Sequence, residues 1–451
     1  MGCGGASFVH AQSLEGHSLE LKARVVQFDV DVGRTDTSGD FKQSALGLQL
    51  DYKSPYFMDI VGVDLSAYEV RKLGQSAIQK NEMLPNDVAD ASKVVNSWLQ
   101  IGQAALKLKY QDLAEAKIGR QLHNSLLLKS TNSRAVQDAF SGYSMAIKPV
   151  TGLKIYGAVY DSWLPRSGDK FQKFATEVPV NSSTGKGVLT NVIDSVTIYG
   201  FQYASGPFQV DFESLRSKNY LQKYGVVGSY LMNLQGAQSV KFSAGASTSS
   251  DAGSLFSCSA EKELDKPTNN VCSNNGQGVY LDAEWKHGNL MLGAAVAKFR
   301  GLWIEDNFAV SNVSRGGSPI QDHGTNFFPT GSTSGNDMTN DGELARMVRL
   351  GYDWKEVIPG MRTVARYKLG TGARNNAVAA WATGREKERE FDVIYAVPFV
   401  KGLSARYNYL NYSGDVTPLV SGKTINAIAS GGSKDYRRDH RIYVDYSYKF
   451  F

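Results

Sequence analysis

Arg362-Thr363-Val364-Ala365-Arg366-Tyr367-Lys368-Leu369 is the stretch whose reading decides the fold. As a β-strand it sends Arg362, Arg366 and Lys368 to one face and Ala365, Tyr367 and Leu369 to the other, because strand side chains alternate with a period of two. Only Val364 interrupts the cationic row, and no acid shares that row. A soluble sandwich buries the apolar face and leaves the charges in solvent. A barrel in a membrane does the reverse, turning its apolar face to lipid and its charges into a wet lumen.

The alternation recurs along the whole chain. Leu46, Leu48, Leu50 and Tyr52 share a face opposite Gly47, Gln49 and Asp51; Val279, Leu281 and Trp285 oppose Tyr280, Asp282, Glu284 and Lys286. Phe391, Val393 and Tyr395 oppose Glu390 and Asp392, and Ile442, Val444, Tyr446, Tyr448 and Phe450 oppose Arg441, Asp445 and Lys449. Eight junctions are tight and rich in turn residues, among them 52–57, 110–115, 148–153, 203–208 and 285–290. Nine others are longer and polar, including Ser214 to Leu221. Short turns on one side, long loops on the other and about eighteen strands predict an all-β, closed antiparallel transmembrane barrel with both termini on the short-turn, periplasmic side. Several turns start at Tyr or Trp (Tyr52, Tyr110, Tyr203, Trp285, Tyr352), where an interfacial aromatic belt sits. A β-sandwich or propeller needs a second sheet over those apolar faces and usually a repeat, and none is visible.

Composition fits this reading. The 451 residues include 23 Tyr and 20 Phe against 12 Pro, and no apolar run approaches the roughly 20 residues of a spanning helix. A net charge of +5, spread over alternating strands, is no nucleic-acid arm. Met1 to Ala11 ends in Val9-His10-Ala11, like a small-residue cleavage site, so residues 1–12 read as a leader and 13–451 as one barrel domain. A lipid-bearing Cys3 is the alternative. Cys258 and Cys272 flank a polar segment and are disulfide candidates in an oxidising compartment.

From the first strand to the last, the pattern resembles the OprD-type porins, the outer-membrane carboxylate channels. The resemblance is carried by Arg349-Leu350-Gly351-Tyr352-Asp353-Trp354, Ile358-Pro359-Gly360, Arg389-Glu390-Phe391-Asp392-Val393, Lys401-Gly402-Leu403-Ser404-Ala405-Arg406 and Arg441-Ile442-Tyr443-Val444-Asp445-Tyr446. Asn132-Ser133-Arg134 and Phe140-Ser141-Gly142 resemble the region of that family's inward-folded third loop. The resemblance implies an eighteen-stranded barrel in the Gram-negative outer membrane, a constriction made by loops 3 and 7, and a ladder of basic residues guiding carboxylates. Two departures stand out: loop 3 lacks proline, and Gly324-Thr325-Asn326 lacks an acid, Asp322 being the nearest.

The strand faces aim Lys107, Lys109, Lys117, Arg349, Arg362, Arg366, Lys368, Arg406 and Arg441 into the lumen, with Arg134 near the constriction. Such a row creates a positive potential and can pass a carboxylate from one bidentate Arg to the next. The bland alternative pairs these cations with Asp64, Asp282, Glu284, Asp353 and Asp445. No hydrolase or metalloprotease motif occurs, and the acidic group Asp337, Asp341 and Glu343 lacks calcium-loop spacing. The expectation is a passive channel for small carboxylates such as aromatic acids or amino acids, with no cofactor, metal or nucleic acid, embedded among lipid and lipopolysaccharide as a monomer or loose trimer. A general anion-preferring porin and an outer-membrane barrel enzyme are the alternatives.

Overall fold

The computed structural model describes residues 16–31, 40–76, 82–85, 87, 93–175, 192–253, 255, 275–301, 303, 306–310, 322–324, 326–332, 337–373, 384–414, 416–417, 427–428 and 435–451. The leader, Cys3, Cys258 and Cys272 lie outside these residues.

Eighteen strands form one antiparallel sheet. The first seven are β1 (Ser18–Asp31), β2 (Phe41–Lys53), β3 (Val61–Gln75), β4 (Ser97–Tyr110), β5 (Ala114–Gln121), β6 (Ala139–Val150) and β7 (Leu153–Leu164). Six more follow: β8 (Val196–Ser205), β9 (Phe208–Ser217), β10 (Leu221–Leu234), β11 (Gln238–Asp251), β12 (Asn275–His287) and β13 (Leu290–Arg300). The last five are β14 (Leu344–Asp353), β15 (Met361–Ala373), β16 (Gly384–Ala396), β17 (Leu403–Gly414) and β18 (Asp435–Lys449). Each pairs with its neighbour in sequence, and β18 returns to β1 through pairs such as Asp445 with Arg24 and Val444 with Val25. Closure leaves no free edge, which the bilayer interior demands.

The sidedness follows the sequence pattern. On β2, Gln43, Ala45, Gln49 and Asp51 are buried inside while Leu50 on the other face is exposed. The outer surface carries Leu106, Leu281, Leu292, Val348, Leu350, Phe391 and Ile442, all exposed. Around the short turns, Tyr110, Tyr203, Phe208, Tyr352, Phe399 and Phe450 are exposed together, at the level where amphipathic rings favour the membrane boundary. No helix among the described residues is long and apolar enough to cross a membrane; the crossing is by strands.

One predicted connection is far shorter than expected. The polar run Ser214 to Leu221 reads as a loop, yet β9 and β10 continue through it and leave only residues 218–220 between them. The polar residues there serve the barrel wall: Ser217 lies in the inner row and donates to the Asn307 carbonyl at 2.7 Å. Described segments of several other long connections fold inward and contribute to the interior apolar core. We number all nine connections at this end, 218–220 included, L1 to L9 in chain order, so that L2 is residues 76–96, L3 residues 122–138 and L7 residues 301–343. One cluster joins Leu127 and Leu128 of L3, Phe308, Phe327 and Phe328 of L7, and Tyr160, Ile198, Leu215 and Tyr280 of the wall. A second joins Met83 and Leu84 of L2 and Ala135 and Val136 of L3 to Val26, Phe28 and Tyr68.

Candidate functional site: a lumen crossed by two loops

β5 has only eight residues, so the chain leaves the wall partway up the barrel and L3 starts inside the lumen. Its first turn is held by one carboxylate. Glu213 on β9 accepts from the backbone N–H groups of Leu126 and Leu127 and from the Ser125 hydroxyl, each at 2.9 Å, and from the Tyr156 hydroxyl at 2.6 Å. A fully buried acid survives there because four donors surround it. Beside it, Leu126, Leu127 and Phe327 fill the space that a side chain at Gly225 would take.

The far end of L3 meets the opposite wall. A Cβ at Gly47 on β2 would fall 2.1 Å from the Ala135 carbonyl oxygen, so glycine is what lets the loop lie flat there. Arg24 on β1 donates to the carbonyl and side-chain oxygens of Asn132 at 2.5 and 2.7 Å and pairs with Asp445 at 2.5 Å. Arg134, the loop residue expected at the constriction, is buried: it pairs with Glu82 of L2 at 2.5 Å, donates to the Glu82 carbonyl and covers the Phe28 ring. Its geometry is that of a loop anchor.

L7 bridges from β12 to β15 and β16. Phe327 and Phe328 pack on Tyr280, the Gly331 carbonyl accepts from Lys368 Nζ at 2.6 Å, and the Ser332 hydroxyl donates to Glu388. L3 and L7 also join each other. Asn307 donates to the Leu127 carbonyl and His323 Nε2 to the Lys129 carbonyl, both at 2.8 Å. The His323 ring stacks on Phe308, with Asp138 Oδ2 at 3.5 Å. Burial pushes the Asp138 carboxyl up to about 7 and the His323 imidazole down to about 4.

Between the two docking points runs the basic row, and it is not alone. The sequence leaves Arg362, Arg366 and Lys368 without an acid on their own strand, but β16 sends Glu386, Glu388, Glu390 and Asp392 inward beside them, all buried. Lys368 pairs with Glu388 at 2.7 Å, and Arg366 with Asp392 at 2.6 Å and Glu390 at 3.3 Å. Arg406 on β17 shares the other Asp392 oxygen at 2.7 Å and lies over the Tyr443 ring, whose other neighbour is Arg24. The wall is thus a chain of alternating charges leading from L3 to L7.

Exposure separates the cations. Arg406 and Arg366 keep 40% and 26% of their side-chain surface, while Lys368 keeps 2% and Arg441, paired with Asp439 at 2.8 Å, keeps 7%. Arg362 is exposed at the periplasmic end. Arg349 is clamped between Asp282 at 2.8 Å and Glu284 at 3.1 Å. Lys107 and Lys117 share Asp64 at 3.1 and 2.6 Å, and Lys109 pairs with Asp112 at the turn after β4. The pairings with Asp64, Asp282 and Glu284 are those of the bland sequence reading.

A model of the OprD outer membrane porin family matches residues 11–428. The chain belongs to that family. Its members are outer-membrane channels for substrate-specific uptake, so this porin resides in the Gram-negative outer membrane. No curated protein matches its sequence. Solved structures share its fold at low identity. OccAB2 of Acinetobacter baumannii is 20% identical, with TM-score 0.75, over 97% of this porin and 99% of that chain. A BenF-like porin from Pseudomonas fluorescens Pf-5 is 17% identical, with TM-score 0.75 and the same coverage. OpdK of Pseudomonas aeruginosa, solved with vanillate, is 18% identical, with TM-score 0.72, again over 97% and 99%. Among the described residues no group of acids, histidines and cysteines is arranged to hold a metal.

The acid row on β16 is visible in the sequence itself. Arg385-Glu386-Lys387-Glu388-Arg389-Glu390-Phe391-Asp392 alternates in sign, so one face of the strand is wholly acidic. The roles of Glu213, Arg24 and Gly47 depend on where L3 lands, and no periodic signal carries that.

Proposed function

We propose that this porin admits small carboxylates by passive diffusion and that Arg366 and Arg406, with Arg362 at the exit, are the groups a carboxylate meets along the wall. The observation that carries the reading is the placement of two partly exposed guanidinium groups on one carboxylate, Asp392, between the docking points of L3 and L7. Each guanidinium uses part of its five-donor fork on Asp392 and has further N–H groups for a passing anion. Because the wall carboxylates neutralise most of the positive charge, attraction of simple inorganic ions is weak. Hydrogen-bonding fit then discriminates among substrates, which favours a substrate-selective channel over a general anion porin. Multiple shallow sites also allow release.

The test is uptake of a panel of aromatic, hydroxy and amino acids into liposomes containing the purified porin, with reversal potentials measured in a salt gradient. The expected result is weak anion preference, competition among carboxylates, and loss of that competition in the Arg366→Ala, Arg406→Ala double variant. Cation preference in the wild type, or uptake untouched by the double variant, overturns the reading.

A further inference from the structure

Eight or nine strands around the barrel from the basic wall, a second polar recess opens beneath the first turn of L3, with a volume of about 180 Å³. Its sides are Lys117 of β5, Ser144 of β6, Lys154 and Tyr156 of β7 and Gln202 of β8, and its roof is His123. Lys154 lies two residues past the periplasmic turn at 151–152, so the recess belongs to the exit half of the lumen.

Most polar groups in the recess are already committed. Lys117 is held by Asp64 at 2.6 Å, the Tyr156 hydroxyl by Glu213, and the Ser144 hydroxyl by the Gln121 side-chain oxygen at 2.6 Å. His123 engages the Tyr160 and Ser125 hydroxyls with its two ring nitrogens, at 2.8 and 2.9 Å. Burial, aided by the nearby Lys154 ammonium, pushes His123 down to about 4, so it brings no charge. The acid at the lower rim, Glu115, has Lys148 at 3.6 Å. What remains is Lys154, directly across the strand pair from Gln202. Its ammonium lies 5.7 Å from the Tyr156 ring centroid and, among the described residues, has no carboxylate within 4 Å.

From this we infer that Lys154 and Gln202 form an exit-side carboxylate station under L3, on the wall opposite the Arg366 and Arg406 track. An ammonium beside an amide N–H₂ gives one carboxylate two donors, one of them charged, in a recess that excludes much of the surrounding water. An anion that has passed the constriction thus meets a second, weaker stop before the periplasm. This inference rests on the carboxylate reading proposed above.

Single channels in planar bilayers test it, with sodium benzoate added to one side at a time and the dwell time of each current blockade recorded. Lys154→Gln is expected to shorten blockades from the periplasmic side about tenfold, the loss of one charge-assisted hydrogen bond. Blockades from the extracellular side, set mainly by the tighter Arg366 and Arg406 track, shorten by less than about twofold, and Lys154→Arg keeps the long periplasmic dwell. Arg366→Ala should do the converse, shortening extracellular blockades alone. Wild-type periplasmic dwell times in Lys154→Gln overturn the station while leaving the carboxylate track standing. A wild-type channel that benzoate blocks from neither side overturns both.

Discussion

Glu213 is the most informative single residue to perturb, because one carboxylate holds the start of L3 inside the barrel. In Glu213→Ala three donors lose their acceptor, the amides of Leu126 and Leu127 and the hydroxyl of Tyr156, while the Ser125 hydroxyl keeps the Leu128 carbonyl at 3.0 Å. An orphaned buried donor costs about 1–3 kcal/mol, so the docked loop loses at least about 3 kcal/mol. The ties that remain at this end include the His123 to Tyr160, Asn307 to Leu127 and His323 to Lys129 hydrogen bonds and apolar contacts with Phe327, and the far end stays fixed by Arg24. A loss of that size favours undocking of the first turn by a factor of at least about a hundred. Single-channel recording should show a larger mean conductance with added open-channel noise, and hydrogen exchange should quicken at Leu126 and Leu127. Glu213→Gln keeps the carbonyl oxygen but turns an N–H₂ toward donors, and should fall between alanine and wild type. Wild-type conductance together with wild-type exchange at both amides in Glu213→Ala would refute the anchoring argument.

Two other expectations concern how L7 docks and how L3 and L7 respond to pH. Lys368→Met leaves Glu388 buried without its cation and removes the donor to the Gly331 carbonyl; breaking such a pair costs about 3–5 kcal/mol. Protease cleavage within residues 326–332 should therefore accelerate while the barrel keeps its sheet spectrum, and cleavage at the wild-type rate would count against the dock. For Asp138 and His323 the signs oppose. The raised Asp138 contributes stability that is present below about 3.9 and lost as pH rises through about 7, whereas the lowered His323 contributes stability present above about 6.5 and lost as pH falls through about 4. His323→Gln should thus leave a joint that loosens toward neutral pH, and Asp138→Asn one that loosens on acidification, read by hydrogen exchange at the Lys129 amide after correction for intrinsic rates. Parallel pH profiles in the two variants would contradict the assignment.

The barrel was legible because it is periodic: each strand repeats the same decision between lipid and lumen, and the eight tight turns set the count. The inward aim of Arg349, Arg366, Lys368, Arg406 and Arg441 was legible for the same reason. Arg349 also meets Asp282 and Glu284, two of the acids the bland reading offers, but what the other four meet was not legible. Arg366 and Asp392 are 26 positions apart and Arg24 and Asp445 are 421 apart, so their pairing depends on strand register and closure, which a single strand does not encode. The paths of L3 and L7 were named by resemblance alone. Their anchors are single residues such as Glu213, Gly47 and Ser332, and none leaves a mark in a hydropathy pattern.

β16 carries opposite signs on its two faces: Arg385, Lys387 and Arg389 look outward at the extracellular end, and four carboxylates look inward. A slip of one residue against β15 or β17 would exchange the two sets. Carboxylates would then face hydrocarbon and anionic headgroups, while bases would crowd Arg366 and Lys368. Misalignment by one is therefore penalised on both surfaces at once, so during assembly this strand acts as a ruler that fixes the alignment of its neighbours.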